Sequence, residues 1–448
     1  MLRLNDKAVS MITAGLCFLT ALSLQIQVTL FKSPTYLGLR INLTDLLVPF
    51  AGAAILATLL ARKSLWPQWR MPHVYAWMGA LTALITLSLL HTHFTYGEIS
   101  RWALVNKFGG WFVLVAIMGM GAWIASNATQ KNLERFIKIF LAFGLFVVAH
   151  QLAILLLDLF PSAKIWIEPY KYFRFPMAGF MANRNAFGLL FICTLAIATC
   201  FHFLQPRTAP AFVVYGLYFL LPLFLVFNSS RAVFLTLCLM LPALLIVLGR
   251  HNKRTALILM ITIAAGALFS GTLLHDKKDQ IFIFKNTPYE FLLHQSDTDD
   301  QDNALIAEGV RENIEYPGDS MRLVILKDAQ TMFGENPILG NGLGSMLLYQ
   351  EKTHGQMINL IDCTPLWILV EMGAIALLIF AAFYLRVAQS LYKAWKEDEE
   401  FSKTLHMSLM FLLFAFTFMS LFHEIMYTRF IWFFLGLGLA LPARMRQA

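Results

Sequence analysis

Charged residues are scarce in this chain. Only 14% of its 448 residues are Asp, Glu, Lys or Arg, while 58% are hydrophobic. Soluble globular domains carry about 25% charged residues, so this composition argues against an ordinary soluble fold. The apolar runs are continuous and do not alternate residue by residue, which argues against a membrane β-barrel. The sequence therefore predicts an all-α polytopic membrane protein.

Cysteines and known catalytic motifs are also scarce. The five cysteines have no metal or redox spacing, and four lie inside apolar runs, which favours a role as small core residues. The chain lacks a Walker sequence, an H-E-x-x-H sequence and a G-x-S-x-G nucleophile elbow. The sequence therefore gives no support to ATP as an energy source, and we expect neither a metal nor a cofactor.

About twelve apolar runs are each long enough to cross a bilayer as a helix, although the last is short. The predicted spans are 9–31, 44–61, 73–90, 110–126, 136–160, 186–204, 210–227, 232–249, 255–274, 364–385, 405–422 and 430–442. Alternate connections are basic: ARKSLWPQWR, KNLERFIK, GRHNKRT, RVAQSLYKAWKEDEEFSK and ARMRQA. They all fall on one side if the N-terminus is inside, which is the arrangement that the positive-inside rule favours.

One connection is much longer than the others and divides the chain. We expect residues 1–274 to hold transmembrane helices 1 to 9, residues 275–363 to form a large, partly helical loop, and residues 364–448 to hold helices 10 to 12 and a cytoplasmic tail. With the basic connections inside, this loop lies outside, in the periplasm of a Gram-negative bacterium. A large external loop predicts chemistry on a substrate at the membrane surface.

Arginines mark the outer ends of several predicted spans. They are Arg40, Arg101, Arg174, Arg184, Arg231 and Arg429. Any one of them fits a side chain that extends to lipid headgroups. As a set, on the face opposite the orienting charges, they predict an anion site, because the planar guanidinium group suits phosphate oxygens. In the run NSSRAVF, a serine can cap the following helix, and Arg231 stands at that anion-attracting end.

The long loop contains two segments of interest. A helix is predicted from Asp319 or Ser320 to Phe333, with Arg322 in its first turn, where the helix dipole disfavours a cation. A bound anion would explain that position, and so would the acidic neighbour Asp319. The run PILGNGLGS is rich in glycine but has no P-loop Lys-Ser ending, so it predicts a tight backbone path and not a nucleotide site.

The end of the loop supplies candidates for acid–base chemistry. His354 and Asp362 are eight residues apart, so they share one face if the helix between them is continuous. Either side chain, near arginines, is a candidate general base for glycosyl transfer. A solvated surface histidine is the alternative for His354. Pro365 marks the start of the next span, and Glu371 within that span is expected to be functional or paired.

The order of four segments resembles the O-antigen ligase and polymerase family. They are GFMANRNAFG, NSSRAVF, PILGNGLGS and TPLWILVEMGAIAL, between about residues 175 and 385. The resemblance implies an inner-membrane glycosyltransferase that moves a glycan from undecaprenyl pyrophosphate to an acceptor on the periplasmic side, without nucleotide or metal. The acceptor is the lipid A-core sugar in ligases, a second lipid-linked repeat in polymerases, and a protein side chain in pilin-glycosylating relatives.

The resemblance also implies roles for particular residues. Arg231 and Arg322 match the family arginines that bind the pyrophosphate, and Arg184 and Arg174 are further candidates for binding it. The family histidine, which Asn, Ser or Gln follows, stands eleven residues before a glycine that matches Gly373.

This chain departs from the family pattern at the histidine, because Asp362 and Cys363 occupy those positions. Either Asp362 replaces the base, or His354 supplies it from two turns earlier, or this chain is not a lipid A-core ligase. A lipid-linked-oligosaccharide flippase is the alternative of a different class, but it would require charges deep in several spans, and these are sparse.

Overall fold

The computed structural model of the protein describes residues 6–30, 39–158, 177–181, 183–275, 318–355, 357–358 and 360–443. Its helices and strands are α1 (Asp6–Ser23), β1 (Gln27–Leu30), β2 (Leu39–Asn42), α2 (Leu43–Ala61), α3 (Val74–Tyr96), α4 (Gly110–Asn127), α5 (Gln130–Asp158), α6 (Arg184–Leu204), α7 (Ala211–Asn228), α8 (Arg231–Gly249), α9 (Lys253–Leu274), α10 (Gly318–Glu335), α11 (Ser345–His354), α12 (Thr364–Glu397), α13 (Glu400–Ser420) and α14 (Arg429–Ala440).

The protein is an all-α polytopic membrane protein, as the composition predicts. In the described part of the chain, ten helices are long and apolar enough to cross a membrane, and they correspond to α2 to α9, α12 and α13. Two apolar helices, α1 and α14, are shorter. A π-helical turn, Ala103–Gly109, leads directly into α4.

The predicted first span, residues 9–31, is wrong at its C-terminal end. Helix α1 ends at Ser23, and β1 then pairs antiparallel with β2, with Gln27 opposite Asn42 and Leu30 opposite Leu39. The physical reason is visible in the run QIQVTL, where polar and apolar residues alternate. That period of two is typical of a strand and not of a helix.

Hydrogen bonds between distant segments define the two ends of the helix bundle. At one end, Arg70 contacts both Asp398 and the Leu441 carbonyl, and Ser402 donates to the Pro442 carbonyl. At the other end, Arg429 contacts Asp45. This second end also carries α10 and α11, which contact α12 and α3, and we call it the insert end.

The helices differ in how far their neighbours enclose them. Over their most apolar windows, 83% of the residues of α6 are buried, against 17% for α2 and 22% for α9. Helix α6 therefore lies inside the bundle, while α2 and α9 present apolar faces outward, as lipid-facing helices do. Helices α4 and α14 pack closely, because a Cβ atom at Gly121 would lie 2.3 Å from the Phe433 carbonyl oxygen and one at Gly436 would lie 1.9 Å from that of Met118.

Candidate functional site

Helix α12 is interrupted at Gly373, where φ is 83° and ψ is 174°. The glycine-rich segment 337–344 lies beside this interruption. The Ala374 N–H donates to the Pro337 carbonyl at 3.0 Å, and the Gly342 N–H donates to the Glu371 carbonyl at 2.7 Å. These bonds satisfy backbone N–H and carbonyl groups that a continuous helix would pair internally. Irregular backbone within a membrane span requires such partners, because lipid supplies none.

The glycines of segment 337–344 are required by this close approach. Gly340 has φ 73°, and a Cβ atom there would lie 2.5 Å from the Gly373 nitrogen. A Cβ atom at Gly342 would lie 2.3 Å from the Thr92 hydroxyl oxygen, and one at Gly373 would lie 2.2 Å from the Ile338 carbonyl oxygen. The predicted tight backbone path is confirmed.

Glu371 is paired within the bundle, as expected for an ionisable group in a span. Its carboxylate accepts hydrogen bonds from the Gly344 N–H at 2.8 Å and from the Trp367 indole N–H at 2.6 Å. The Glu371 backbone carbonyl also accepts from the Ser88 hydroxyl at 3.1 Å. Glu371 therefore fixes the end of the glycine-rich segment against α12.

A second buried charge lies close by in the π-helical turn. The Lys107 ammonium is 2.6 Å from the Glu424 carboxylate and stands over the rings of Trp102, Trp367 and Tyr427 at 4.9, 4.2 and 4.6 Å. Burial raises the pKa of the Tyr427 phenol well above its usual value, and the carboxylate of Glu424 acts in the same direction, so the phenol stays protonated. Through Trp367 and Glu424, Lys107 links the π-helical turn before α4 to α12 and to the connection between α13 and α14.

Polar side chains from four elements form a chain of hydrogen bonds at the insert end. The Ser230 hydroxyl donates to the Asn185 side-chain oxygen at 2.7 Å, and the Asn185 side-chain nitrogen is 3.1 Å from Nδ1 of His423. The Thr364 hydroxyl donates to the His423 carbonyl at 2.9 Å. This Ser230–Thr364 chain joins the first turns of α6, α8 and α12 to the connection between α13 and α14.

Two of the predicted phosphate-binding arginines stand beside this chain. Arg184 and Arg231 are the first residues of α6 and α8, next in sequence to Asn185 and Ser230. Arg184 is only 3% exposed. The predicted serine cap is confirmed, because the Ser230 hydroxyl accepts from the Val233 N–H at 3.3 Å. The hydrogen bond between Asn185 and Ser230 thus brings two helix N-termini together, each beginning with an arginine.

The other predicted arginines have different positions. Arg429 forms a bidentate pair with Asp45, with nitrogen–oxygen distances of 3.1 and 2.9 Å. The guanidinium group of Arg429 therefore already binds a carboxylate of the protein. Arg322 is in α10, which begins at Gly318, close to the predicted helix start, but its side chain lies outside the described residues. Arg174 and the side chain of Arg40 also lie outside them.

The two candidate bases are not on one continuous helix, which corrects the geometry expected from their spacing. Helix α11 ends at His354, Gly355 follows with φ 74°, and Asp362 precedes α12. Nε2 of His354 is 3.0 Å from the Asp328 carboxylate, with the two side chains 31% and 8% exposed. His354 is thus partly accessible and paired, and not a solvated histidine.

Asp362 is the candidate nearer to the Ser230–Thr364 chain in sequence, because it lies two residues before Thr364.

The adjacent Cys363 is not a nucleophile at neutral pH. Burial raises the pKa of its thiol, and the Asp362 carboxylate acts in the same direction, so the thiol stays protonated. Pro365 is in the first turn of α12, as predicted.

Sequence reasoning missed several polar residues that the fold brings to the insert end. They are Asn185, Thr364, His423, Lys107, Glu424 and Asp328. The run HEIMYTR between the last two apolar runs contained a signal, since it places a histidine and a carboxylate in a very short outer connection. Among the described residues, no group of three or more His, Cys, Asp or Glu has metal-binding geometry.

The family model described as O-antigen ligase matches residues 216–381. The match extends from within α7 to within α12 and includes Arg231, Arg322, His354 and Asp362. The resemblance to the O-antigen ligase and polymerase family is confirmed over this stretch. A comparison with curated proteins gives no match. The match supports a function like that of O-antigen ligases and polymerases, which transfer glycosyl groups.

Proposed function

We propose that this protein is a bacterial inner-membrane glycosyltransferase that moves a glycan from undecaprenyl pyrophosphate to an acceptor hydroxyl of the lipid A-core sugar at the periplasmic face. The observation that carries the proposal is the pair of joined helix N-termini that begin with Arg184 and Arg231. A helix N-terminus attracts anions, and arginine binds phosphate oxygens in a bidentate manner. The family match covers Arg231 and supports glycosyl transfer.

The proposed reaction is a direct displacement at the anomeric carbon. The acceptor oxygen forms a bond to that carbon, and the bond from the carbon to the pyrophosphate oxygen breaks, with its electron pair leaving on the pyrophosphate. Arg231 and Arg322, with Arg184 and Arg174, bind the pyrophosphate and stabilise the charge that develops on it. The acceptor proton passes to His354 or Asp362, and neither a metal nor a nucleotide takes part.

A polymerase is the second candidate, with a lipid-linked glycan as its acceptor. The observation that favours it is Asp362, which with Cys363 occupies the place of the histidine and its polar neighbour in the ligase pattern. A protein side chain, as in pilin-glycosylating relatives, is a third acceptor of the same chemical kind. All three acceptors supply a hydroxyl group to the same pyrophosphate-bound glycan.

Reconstitution of the purified protein into liposomes tests these candidates in one assay. A radiolabelled glycan on undecaprenyl pyrophosphate is supplied with lipid A-core, with a second lipid-linked glycan or with a pilin-like protein. We expect label on lipid A-core, together with release of undecaprenyl pyrophosphate. Label on a longer lipid-linked glycan or on protein would identify a polymerase or a protein-glycosylating enzyme. Movement of intact substrate across the bilayer without transfer would contradict the proposal and favour a flippase.

A further inference from the structure

The glycine-rich segment 337–344 meets two membrane helices well inside their ends. The Ile375 N–H donates to the Ile338 carbonyl at 3.4 Å, and Ile375 lies about three turns after the start of α12. The Leu343 N–H donates to the Ser88 carbonyl at 3.1 Å, and Ser88 lies about two turns before the end of α3. The segment therefore reaches roughly 10–15 Å below the ends of both helices, at a rise of about 1.5 Å per residue.

The same segment begins and finishes at the insert end. It follows α10, whose last residue Glu335 is exposed, as is Asn336. At its other end, a Cβ atom at Gly344 would lie 2.2 Å from the Cβ atom of Ala103, which begins the π-helical turn on the connection after α3. The chain thus enters the bundle and leaves it on one side, which makes 337–344 a re-entrant segment.

The exposed residues of the re-entrant segment are all apolar. They are Pro337, Ile338 and Leu339, whereas residues 340–344 are buried. Ile338 is 61% exposed and Leu339 is 66% exposed. The hydrocarbon core of a bilayer is about 30 Å thick, so a depth of roughly 10–15 Å is still within its nearer half. At that depth an exposed side chain contacts either lipid chains or a water-filled cavity, and isoleucine and leucine favour lipid.

These exposed side chains continue an apolar surface of α12. Ile375, which is hydrogen-bonded to the Ile338 backbone, is 43% exposed, and Leu378 on the same helix is 69% exposed. Helix α12 is one of the helices long and apolar enough to cross the membrane, so its exposed apolar face is a lipid-facing surface. The re-entrant segment therefore extends an interface with lipid that the transmembrane helix already has.

The backbone of the segment is suited to a lipid environment. Pro337 has no N–H group, and its carbonyl accepts from the Ala374 N–H at 3.0 Å. The Ile338 carbonyl accepts from Ile375, and the Gly340 N–H donates to the Asn336 carbonyl at 2.9 Å. Irregular backbone that meets lipid is costly when its polar groups are unpaired. The interruption of α12 at Gly373 supplies the N–H groups that pair these two carbonyls.

We propose that the re-entrant segment is a membrane anchor of the insert end, with Ile338 and Leu339 in contact with the hydrocarbon chains of membrane lipids. The anchor holds the end of α10 at the membrane surface, because Asn336 follows α10 directly. The Asn341 side-chain nitrogen also donates to the Met332 carbonyl in the last turns of α10 at 2.7 Å. This inference concerns the lipid bilayer as a partner, and it does not depend on the proposed function.

The experiment measures the accessibility of nitroxide spin labels in the full-length protein in liposomes. In a variant without the five native cysteines, labels are placed at Ile338→Cys and Leu339→Cys. Oxygen is concentrated in hydrocarbon, whereas a nickel chelate remains in water. We expect collisions with oxygen to exceed those with the chelate at both positions, as at the lipid-facing reference Leu378→Cys. The exposed reference Glu351→Cys should show the opposite order.

A second measurement keeps the native cysteines. Because Leu339 is mostly exposed, replacing it disturbs little packing, and the effect depends on what surrounds the side chain. A carboxylate that faces lipid is costly. Leu339→Asp should therefore lower the melting temperature in liposomes about as much as Leu378→Asp does, while Leu339→Phe should leave it near that of wild type.

Each other outcome overturns the anchor. Higher accessibility to the nickel chelate at position 338 or 339 would mean that the segment faces water. Protection from both reagents at either position would mean that protein covers it, from the same chain or from a second copy. If the cysteine-free variant does not fold, as judged by size-exclusion chromatography in detergent, the melting temperatures decide, and a Leu339→Asp variant as stable as Leu339→Phe contradicts contact with lipid. None of these readouts requires glycan transfer, so the proposed function stands or fails separately.

Discussion

Arg231 and Arg250 stand at opposite ends of α8, so the helix supplies its own control. We expect Arg231→Ala to abolish glycan transfer while the protein remains folded in the membrane, because the pyrophosphate loses a bidentate partner. Arg231→Lys should restore little activity, since an ammonium group cannot reproduce the planar fork. Arg250→Ala should transfer glycan normally. Near-normal product from Arg231→Ala would remove this residue from the site.

The choice between His354 and Asp362 as the base is made by comparing substitutions. If His354 is the base, His354→Ala should lower the rate of transfer by about two to four orders of magnitude with substrate binding kept, and Asp362→Asn should lower it much less. Asp328→Asn should then also slow the reaction, because the Asp328 carboxylate contacts Nε2 of His354.

The opposite ranking would assign the base to Asp362, and Asp362→His would then retain activity. Single-turnover rates with radiolabelled substrate separate chemistry from binding in each variant. Full activity in both His354→Ala and Asp362→Asn would contradict both assignments and show that the reaction requires neither group.

At the scale of elements, the interruption of α12 depends on glycines that a side chain would displace. We expect Gly373→Ala and Gly340→Ala each to destabilise the protein by roughly 1–3 kcal/mol or more, because each combines a positive φ with contact against backbone atoms. Thermal unfolding of the purified variants in detergent measures the effect.

Gly271 is the matched control for this prediction. It lies in α9, and a Cβ atom there would meet no heavy atom within 4 Å. Gly271→Ala should therefore change the stability by less than about 1 kcal/mol. Equal melting temperatures for Gly373→Ala and Gly271→Ala would mean that the glycine-rich segment and α12 are not packed as described.

The Lys107–Glu424 pair connects the π-helical turn to the element that carries His423. Lys107→Met leaves the largely buried Glu424 carboxylate without this ammonium group, which should cost about 3–5 kcal/mol. The double variant Lys107→Met, Glu424→Gln should recover much of that loss, because no charge remains unpaired. Lys393→Met breaks an exposed pair on α12 and should cost at most about 1 kcal/mol.

Thermal unfolding of these variants in detergent provides the comparison. A double variant no more stable than Lys107→Met would show that the ammonium group stabilises the fold mainly through the rings of Trp102, Trp367 and Tyr427. A Lys107→Met variant as stable as Lys393→Met would contradict the burial of the pair.

For the whole molecule, the testable property is its orientation in the membrane. We expect the insert end to face the periplasm, since the basic connections lie at the other end. In a variant without the five native cysteines, Glu351→Cys should react with a membrane-impermeant maleimide added to intact spheroplasts. His251→Cys should react only after permeabilisation. Both positions are exposed, so both should react in detergent. The reverse pattern would overturn the orientation and the proposed mechanism.

Part of the candidate site was predictable from local sequence. The cap at Ser230, the position of Arg231 at the start of α8, the α10 helix and the pairing of Glu371 follow from helix-end chemistry and from the cost of burying a charge. Hydrophobicity alone predicts a helix through residues 24–30, whereas the alternation of polar and apolar residues in QIQVTL indicates the strand β1. The contact of His354 with Asp328 spans 26 residues, so the sequence around His354 does not indicate it.

Local sequence is sufficient to predict that the chain forms membrane helices, roughly where they lie, and which family it resembles. These properties depend on the hydrophobicity, charge and capping of short stretches, which act locally. Three long-range contacts are visible only in the folded molecule: Asn185 contacts His423 across 238 residues, Ser88 contacts Glu371 across 283, and Lys107 contacts Glu424. Such contacts depend on how helices pack and where α12 is interrupted, and no short stretch of sequence encodes that relation.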